Sequence, residues 1–203
     1  MSMAAGEKGV LGLDFDGCIA YGANAKIRFA KETWGLELAI EQTTEEVFPL
    51  GPQRYRQMMD IVARKLDEYE LAPYCKEVLE GLAKADLGLA VVTSRYDYEL
   101  EAAKWFIKNH RLPISDIRNT KGGGKRATCN EVGAVAFLED SLWKLVELKD
   151  TGIALYFMKQ GWNVHEQPKA SQLEFVVSVN DWQHFYSHVT GTDLAAARVV
   201  NHA

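Results

Sequence analysis

The sequence predicts an α/β protein, a parallel sheet with helices packed on both faces. Three observations carry that expectation. Apolar runs of strand length alternate with stretches of helical periodicity from Pro73 onward. The first run, Val10-Leu11-Gly12-Leu13, reads as a strand buried on both sides. Every polar cluster that interrupts the rhythm falls directly after a predicted strand.

The elements follow in order. The opening strand leads into Asp14-Phe15-Asp16-Gly17. Side chains two apart on a strand point the same way, so both carboxylates converge where the strand stops, and Gly17 allows a tight turn there. Residues 20–72 lose strand character. Helices are expected over 23–35 and 52–70, joined by Thr43-Thr44-Glu45-Glu46 and a Pro49-Leu50-Gly51-Pro52 turn. The second helix carries Tyr55, Met58, Met59, Val62 and Leu66 on one face, read as the core of this insertion rather than as a substrate surface. The insertion is too long for a simple loop and is expected to form a small helical cap over the strand ends.

From Pro73 the expected elements are a helix to Ala85 with Val78, Leu79 and Leu82 inward, and a strand over 87–92 ending in Thr93-Ser94-Arg95. A helix over 98–109 and a short strand over 114–117 come next. After Lys121-Gly-Gly-Gly-Lys125-Arg126 come a short helix over 126–132, a strand over 134–138 closed by Glu139-Asp140, and a helix over 141–149. Strands over 153–157 and 175–179 complete the sheet. The expected division is a core of residues 1–19 and 73–190, a cap of residues 20–72, and a tail of residues 191–203.

Composition bounds the function. The chain has 203 residues, 47% hydrophobic and 25% charged, and a net charge of −5, the profile of an ordinary soluble globular protein. That charge suits neither a nucleic-acid backbone nor an acidic membrane as partner. Apolar runs are too short to span a bilayer, and the first residues lack the apolar segment of a signal peptide. Cys18, Cys75 and Cys129 form no CxxC pattern and fit reduced thiols in a cytoplasm.

Parallel strands end on one edge, so Asp14 and Asp16, Thr93 and Ser94, Lys125, and Glu139 and Asp140 can meet in one crevice. The residue types complement one another. Carboxylates of Asp14 and Asp140 suit Mg²⁺, which takes oxygen ligands. Thr93, Ser94 and Lys125 supply hydrogen-bond donors and positive charge to a phosphate. One carboxylate can attack phosphorus and the other can exchange protons with the leaving oxygen and with water.

The order Asp14-Phe15-Asp16-Gly17-Cys18, Thr93-Ser94, Lys125 and Glu139-Asp140-Ser141 resembles the four motifs of the haloacid dehalogenase-like (HAD) superfamily, over residues 9 to 180. The resemblance implies a Rossmann-like core with a C1-type helical cap and a Mg²⁺-dependent phosphatase. Asp14 would be nucleophile and metal ligand. Asp16 would be acid/base, with its backbone carbonyl on the metal. Thr93, with Ser94 and Gly17, would bind phosphate, and Lys125 would neutralise it. Asp140 would complete the metal's protein ligands, with Glu139 reaching it through water. Cys18 stands where the family usually has Thr or Val and is read as a small buried hydrophobe. Lys121 competes with Lys125 for the third motif; Lys125 directly precedes a helix. A more distant resemblance, on Glu139-Asp140-Ser141 and Gly161-Trp162-Asn163, is to 5′(3′)-deoxyribonucleotidase-like proteins and implies a nucleoside monophosphate; a sugar phosphate is the other small substrate considered.

Two other readings stay open on these residues: a phosphomutase or phosphotransferase on the same site, and a non-catalytic module that keeps the fold. A receiver domain is disfavoured by motif order. Arg95 is expected either on a substrate phosphate or on a surface carboxylate. Trp105, Trp143, Trp162 and Trp182 are expected to pack, and Trp34 is kept as a substrate contact. His184 and His188 lie one helical turn apart with no third ligand nearby. Oligomeric state is left open.

Overall fold

The computed structural model describes residues 9–191. Six parallel strands form one sheet in the order β5-β4-β1-β6-β7-β8. These are β1 (Val10–Leu13), β4 (Gly88–Thr93), β5 (Asp116–Asn119), β6 (Ala134–Glu139), β7 (Ala154–Met158) and β8 (Val176–Val179). The chain leaves the central strand β1 in both directions, so strand order reverses there and opens a crevice at its carboxyl end.

Alternate strand residues divide between two apolar cores, one on each face. Leu11, Leu13, Val91, Leu138 and Tyr156 join the larger; Val92, Phe137, Leu155 and Phe157 join the smaller. Helices α3 (Cys75–Lys84), α4 (Asp97–Asn109) and α8 (Trp182–Thr190) contribute Val78, Phe106 and Phe185 to the larger core. Helices α5 (Arg126–Glu131), α6 (Leu142–Glu147) and α7 (Gln167–Ala170) contribute Cys129, Leu145 and Ala170 to the smaller. Coverage of both faces is what the uninterrupted apolar strands require. Helix α8 is an addition to the expected elements, and its start is fixed by Asp181, whose side chain accepts from the His184 N–H at 2.7 Å.

Between β1 and α3 the chain forms a helical insertion. Helix α1 (Ala23–Trp34) ends on Gly35 in the left-handed conformation, as expected. Helix α2 (Gly51–Val62) stops eight residues before the expected end at residue 70. The chain instead makes a 3₁₀ turn at Leu66–Glu68 and a short strand, β3 (Glu70–Leu71), antiparallel to β2 (Ala20–Tyr21). This pair closes the base of the insertion, so tertiary pairing overrides the helical pattern there. Phe48, Met58, Val62 and Leu66 join the larger core, continuous with the sheet face. The tail expected after Gly191 lies outside the described residues. No helix among them is long and apolar enough to cross a membrane, and Cys18, Cys75 and Cys129 are buried free thiols.

Candidate active site

Register brings the motifs to one level. Leu13 pairs with Val91 on one side and Leu138 on the other, so Asp14 stands beside the last residues of β4 and β6, and its N–H donates to the Leu138 carbonyl at 2.8 Å. Thr93 ends β4 and Glu139 ends β6, while Lys125 stands at the start of α5. Asp14, Asp16, Gly17, Thr93, Ser94 and Asp140 all line a cavity of about 790 Å³ between the sheet edge and the insertion.

Behind Asp14, Lys125 is fully buried and does not itself line the cavity. Its ammonium donates to Asp14 Oδ1 and, at 2.7 Å, to Glu139 Oε2. Lys121 is exposed and pairs with Asp97 at 3.1 Å, so the two candidate lysines part cleanly. Glu139 is equally buried. Its second oxygen accepts from the Asp140 and Ser141 N–H groups at 3.1 Å and lies 3.8 Å from Lys144 Nζ. These cations hold Glu139 below its ordinary pKa despite burial. Glu139 thus braces Lys125, Lys144 and the loop after β6.

Asp14 is pushed the other way, to about 6, by burial first and then by the charge of Glu139, with Lys125 opposing. Its Oδ2 is buried without a hydrogen-bond partner. Oxygens of Asp14 and Asp140 and the Cys18 sulfur lie within 4.8 Å of one another. Burial and the neighbouring carboxylates push the Cys18 thiol up, and a soft thiol is a poor ligand for a hard cation beside two carboxylates. An orphaned carboxylate oxygen facing a second carboxylate is a donor set that fits a hard divalent cation such as Mg²⁺. Asp140 is oriented by Trp162, whose indole donates to Oδ2 at 2.6 Å, and by Asn163, which donates to its carbonyl at 2.7 Å. Gly17 has φ +83°, and a Cβ there would overlap Asp140 Oδ2; only glycine fits this approach.

Arg95 does pair with a carboxylate, but with Asp16 of the cavity and not with one on the outer surface. It is buried and grips Asp16 with two parallel bonds, Nε to Oδ2 at 2.8 Å and Nη2 to Oδ1 at 2.7 Å, while Nη1 donates to the Ala63 carbonyl just beyond α2. The guanidinium holds Asp16 below the ordinary carboxylate range against the opposing effect of burial. Thr93 Oγ1 accepts from the Arg95 N–H at 3.3 Å.

Other side chains fall outside expectation. Trp34 packs edge-on against Phe29 and Phe48 and does not line the cavity. Trp143 and Trp162 do line it, Trp143 half exposed; Trp105 is exposed, and Trp182 alone of the four is fully buried. Tyr55 and Met59 line the cavity too, so the α2 stripe is shared between core and site. Lys144 and Lys26 escaped the sequence reading. Lys144 follows Asp140 by four residues on the next helix, a spacing that could have flagged it.

No protein-family model and no curated protein matches this sequence. Solved structures do. A hydrolase from Pseudomonas syringae matches with a TM-score of 0.61 and 16% identity, over 90% of this chain and 98% of that one. A predicted phosphoglycolate phosphatase from Haemophilus somnus 129PT matches at 0.61 and 16%, over 92% and 100%. An Entamoeba histolytica protein described as a HAD hydrolase, family IA, variant 3, matches at 0.57 and 13%, over 86% and 93%. At these identities what is shared is the backbone architecture, and this chain has the fold of the haloacid dehalogenase-like hydrolases.

Proposed function

We propose that this chain is a Mg²⁺-dependent phosphomonoester hydrolase that works through an aspartyl-phosphate on Asp14, with residues 20–72 as its cap. The observation that carries the reading is Asp14 itself. One oxygen is neutralised by a buried lysine and the other is buried without a partner, while an Asp14 oxygen lies within 4.8 Å of one from Asp140 at the end of the central strand. Neighbours described as hydrolases and phosphatases support the same reaction class.

An Asp14 oxygen attacks phosphorus, the P–O bond to the leaving group breaks, and the leaving oxygen takes a proton from Asp16. Water then attacks the acyl phosphate, gives its proton to Asp16, and releases phosphate from Asp14. Asp16 must free an oxygen from Arg95 to deliver the first proton; paired as it stands, it has the form of the base. Thr93 donates its hydroxyl to the phosphoryl oxygens, with Ser94 and Gly17 beside it, and Lys125 neutralises charge behind Asp14. Asp14, Asp140 and the Asp16 carbonyl would hold Mg²⁺, which when bound shields the approach of an anionic nucleophile to an anionic phosphate. Glu139 is assigned to bracing Lys125 in place of the water-mediated metal contact implied by the motif. A small phosphorylated metabolite is the substrate class, with nucleoside monophosphates and sugar phosphates as its first members to test, and the cytoplasm is the compartment.

The test is phosphate release from a panel of phosphomonoesters with Mg²⁺ and then with EDTA. Metal-dependent release from at least one ester is expected. No release from any ester with Mg²⁺ bound would overturn the reading and favour the non-catalytic module.

A further inference from the structure

The cap wall of the cavity carries a cation with no anion of its own. Lys26, on α1, lines the cavity and donates to the Thr43 carbonyl and the Tyr55 hydroxyl, both at 3.1 Å. No carboxylate among the described residues lies within ion-pair distance of it. An ammonium has three donors, so one remains for a further partner.

Its surroundings add neutral donors. The Tyr69 hydroxyl is buried without a partner, and the Tyr69 ring stands where a side chain at cavity-lining Gly22 would be, directly behind the wall. Thr44 lines the cavity, and its buried hydroxyl likewise has no partner. Carboxylates elsewhere on this wall are committed or point to solvent: Glu45 pairs with Arg56 at 2.9 Å, Glu99 accepts from the Tyr96 N–H at 2.8 Å, and Glu46 and Asp60 are exposed. Asp16, which lines the same cavity as Lys26, is already neutralised by Arg95. Asp16 is the group assigned to the leaving oxygen, so Lys26 stands on the leaving-group side.

We propose that Lys26, with the Thr44 hydroxyl beside it on the cavity wall, forms a subsite for a second anionic oxygen group, a carboxylate or phosphate, carried by the leaving group of the substrate. The proposal rests on the phosphomonoesterase reading for its orientation, and names the substrate class within it: phosphomonoesters of organic acids or of second phosphates rather than of neutral alcohols. An uncompensated, partly buried ammonium gains most from an anionic partner, because burial has already removed much of its water.

The test compares 3-phosphoglycerate with glycerol 3-phosphate, which share a three-carbon skeleton and differ at the acid group. Turnover with Mg²⁺ and binding by calorimetry are both measured for the parent, Lys26→Met and Lys26→Arg. The parent should favour the acid about 10- to 100-fold in kcat/KM and in affinity, the range of one charge-assisted hydrogen bond. Lys26→Met should bring that ratio near one, and Lys26→Arg should keep most of it. A parent ratio near one, or a ratio that survives in Lys26→Met, overturns the subsite. Preferential binding of the acid, with no release from either ester or from any other ester of the panel, sustains the subsite and overturns the hydrolase reading instead. Should Lys26→Met not fold, the parent ratio and Lys26→Arg still decide.

Discussion

Two lysines stand on opposite sides of the site, Lys26 lining the cavity and Lys125 buried behind Asp14, and they are held in opposite ways. Lys125, on the core side, is sealed from water and compensated by two buried carboxylates. Lys26, on the insertion side, is held by one carbonyl and one phenol, with a donor to spare. The difference separates fixed from variable chemistry. On the proposed reading, the group that neutralises Asp14 is locked by the fold, whereas the group proposed to meet the changing part of a ligand is left uncommitted.

That contrast can be broken by measurement. Lys125→Met leaves Asp14 and Glu139 buried without their cation and should cost about 3–5 kcal/mol in urea unfolding, against about 1 kcal/mol or less for Lys26→Met. Equal costs would erase the distinction. Arg95→Met should fall between them, at about 2–3 kcal/mol, because Asp16 keeps partial access to water while Ala63 loses its donor. Gly17→Ala should weaken Mg²⁺ binding at least about tenfold, since the new Cβ displaces Asp140 from a backbone conformation that already disfavours alanine; an unchanged Mg²⁺ titration would separate Asp140 from the metal.

The smallest effect is one of pH. Glu166 is pushed up to about 7 by burial first and then by the charges of Glu46 and Glu139. Its native pKa lies above its unfolded value, so its contribution to stability is full below about pH 4.5 and is lost as pH rises through about 7. Subtracting the Glu166→Gln urea midpoint from the parent's across that window should show a falling difference; a flat difference would contradict it. Glu166 Oε1 also accepts from the Leu142 N–H at 3.1 Å, a bond that the glutamine carbonyl can keep.

Much of this architecture is legible in the sequence for a physical reason. Uninterrupted apolar runs of strand length ending in Asp14, Thr93 and Glu139, alternating with helical stretches, fit buried parallel strands, and parallel strands deliver their ends to one edge. The helix start beside Lys125 favours it over Lys121 in the sequence, and the structure buries Lys125 against Asp14 while Lys121 stays exposed. What local pattern could not carry was the set of partnerships over distance. Arg95 meets Asp16 across 79 residues of chain, and nothing near either residue announces the pair. The two-residue strands β2 and β3 are too short for periodicity, so the helical pattern past Val62 ran on through them. Trp34 is enclosed by Phe29 of its own helix and by Phe48 from beyond that helix, and the second contact leaves no local trace in the sequence.

The central claim is that Asp14 is the nucleophile. It is tested most directly by phosphate release from the best ester of the panel, at saturating Mg²⁺, by the parent and by Asp14→Asn, with circular dichroism to establish that both are folded. The account predicts a loss of at least about 10⁴-fold in kcat, because the amide cannot form the acyl phosphate. Turnover by Asp14→Asn within tenfold of the parent would contradict it.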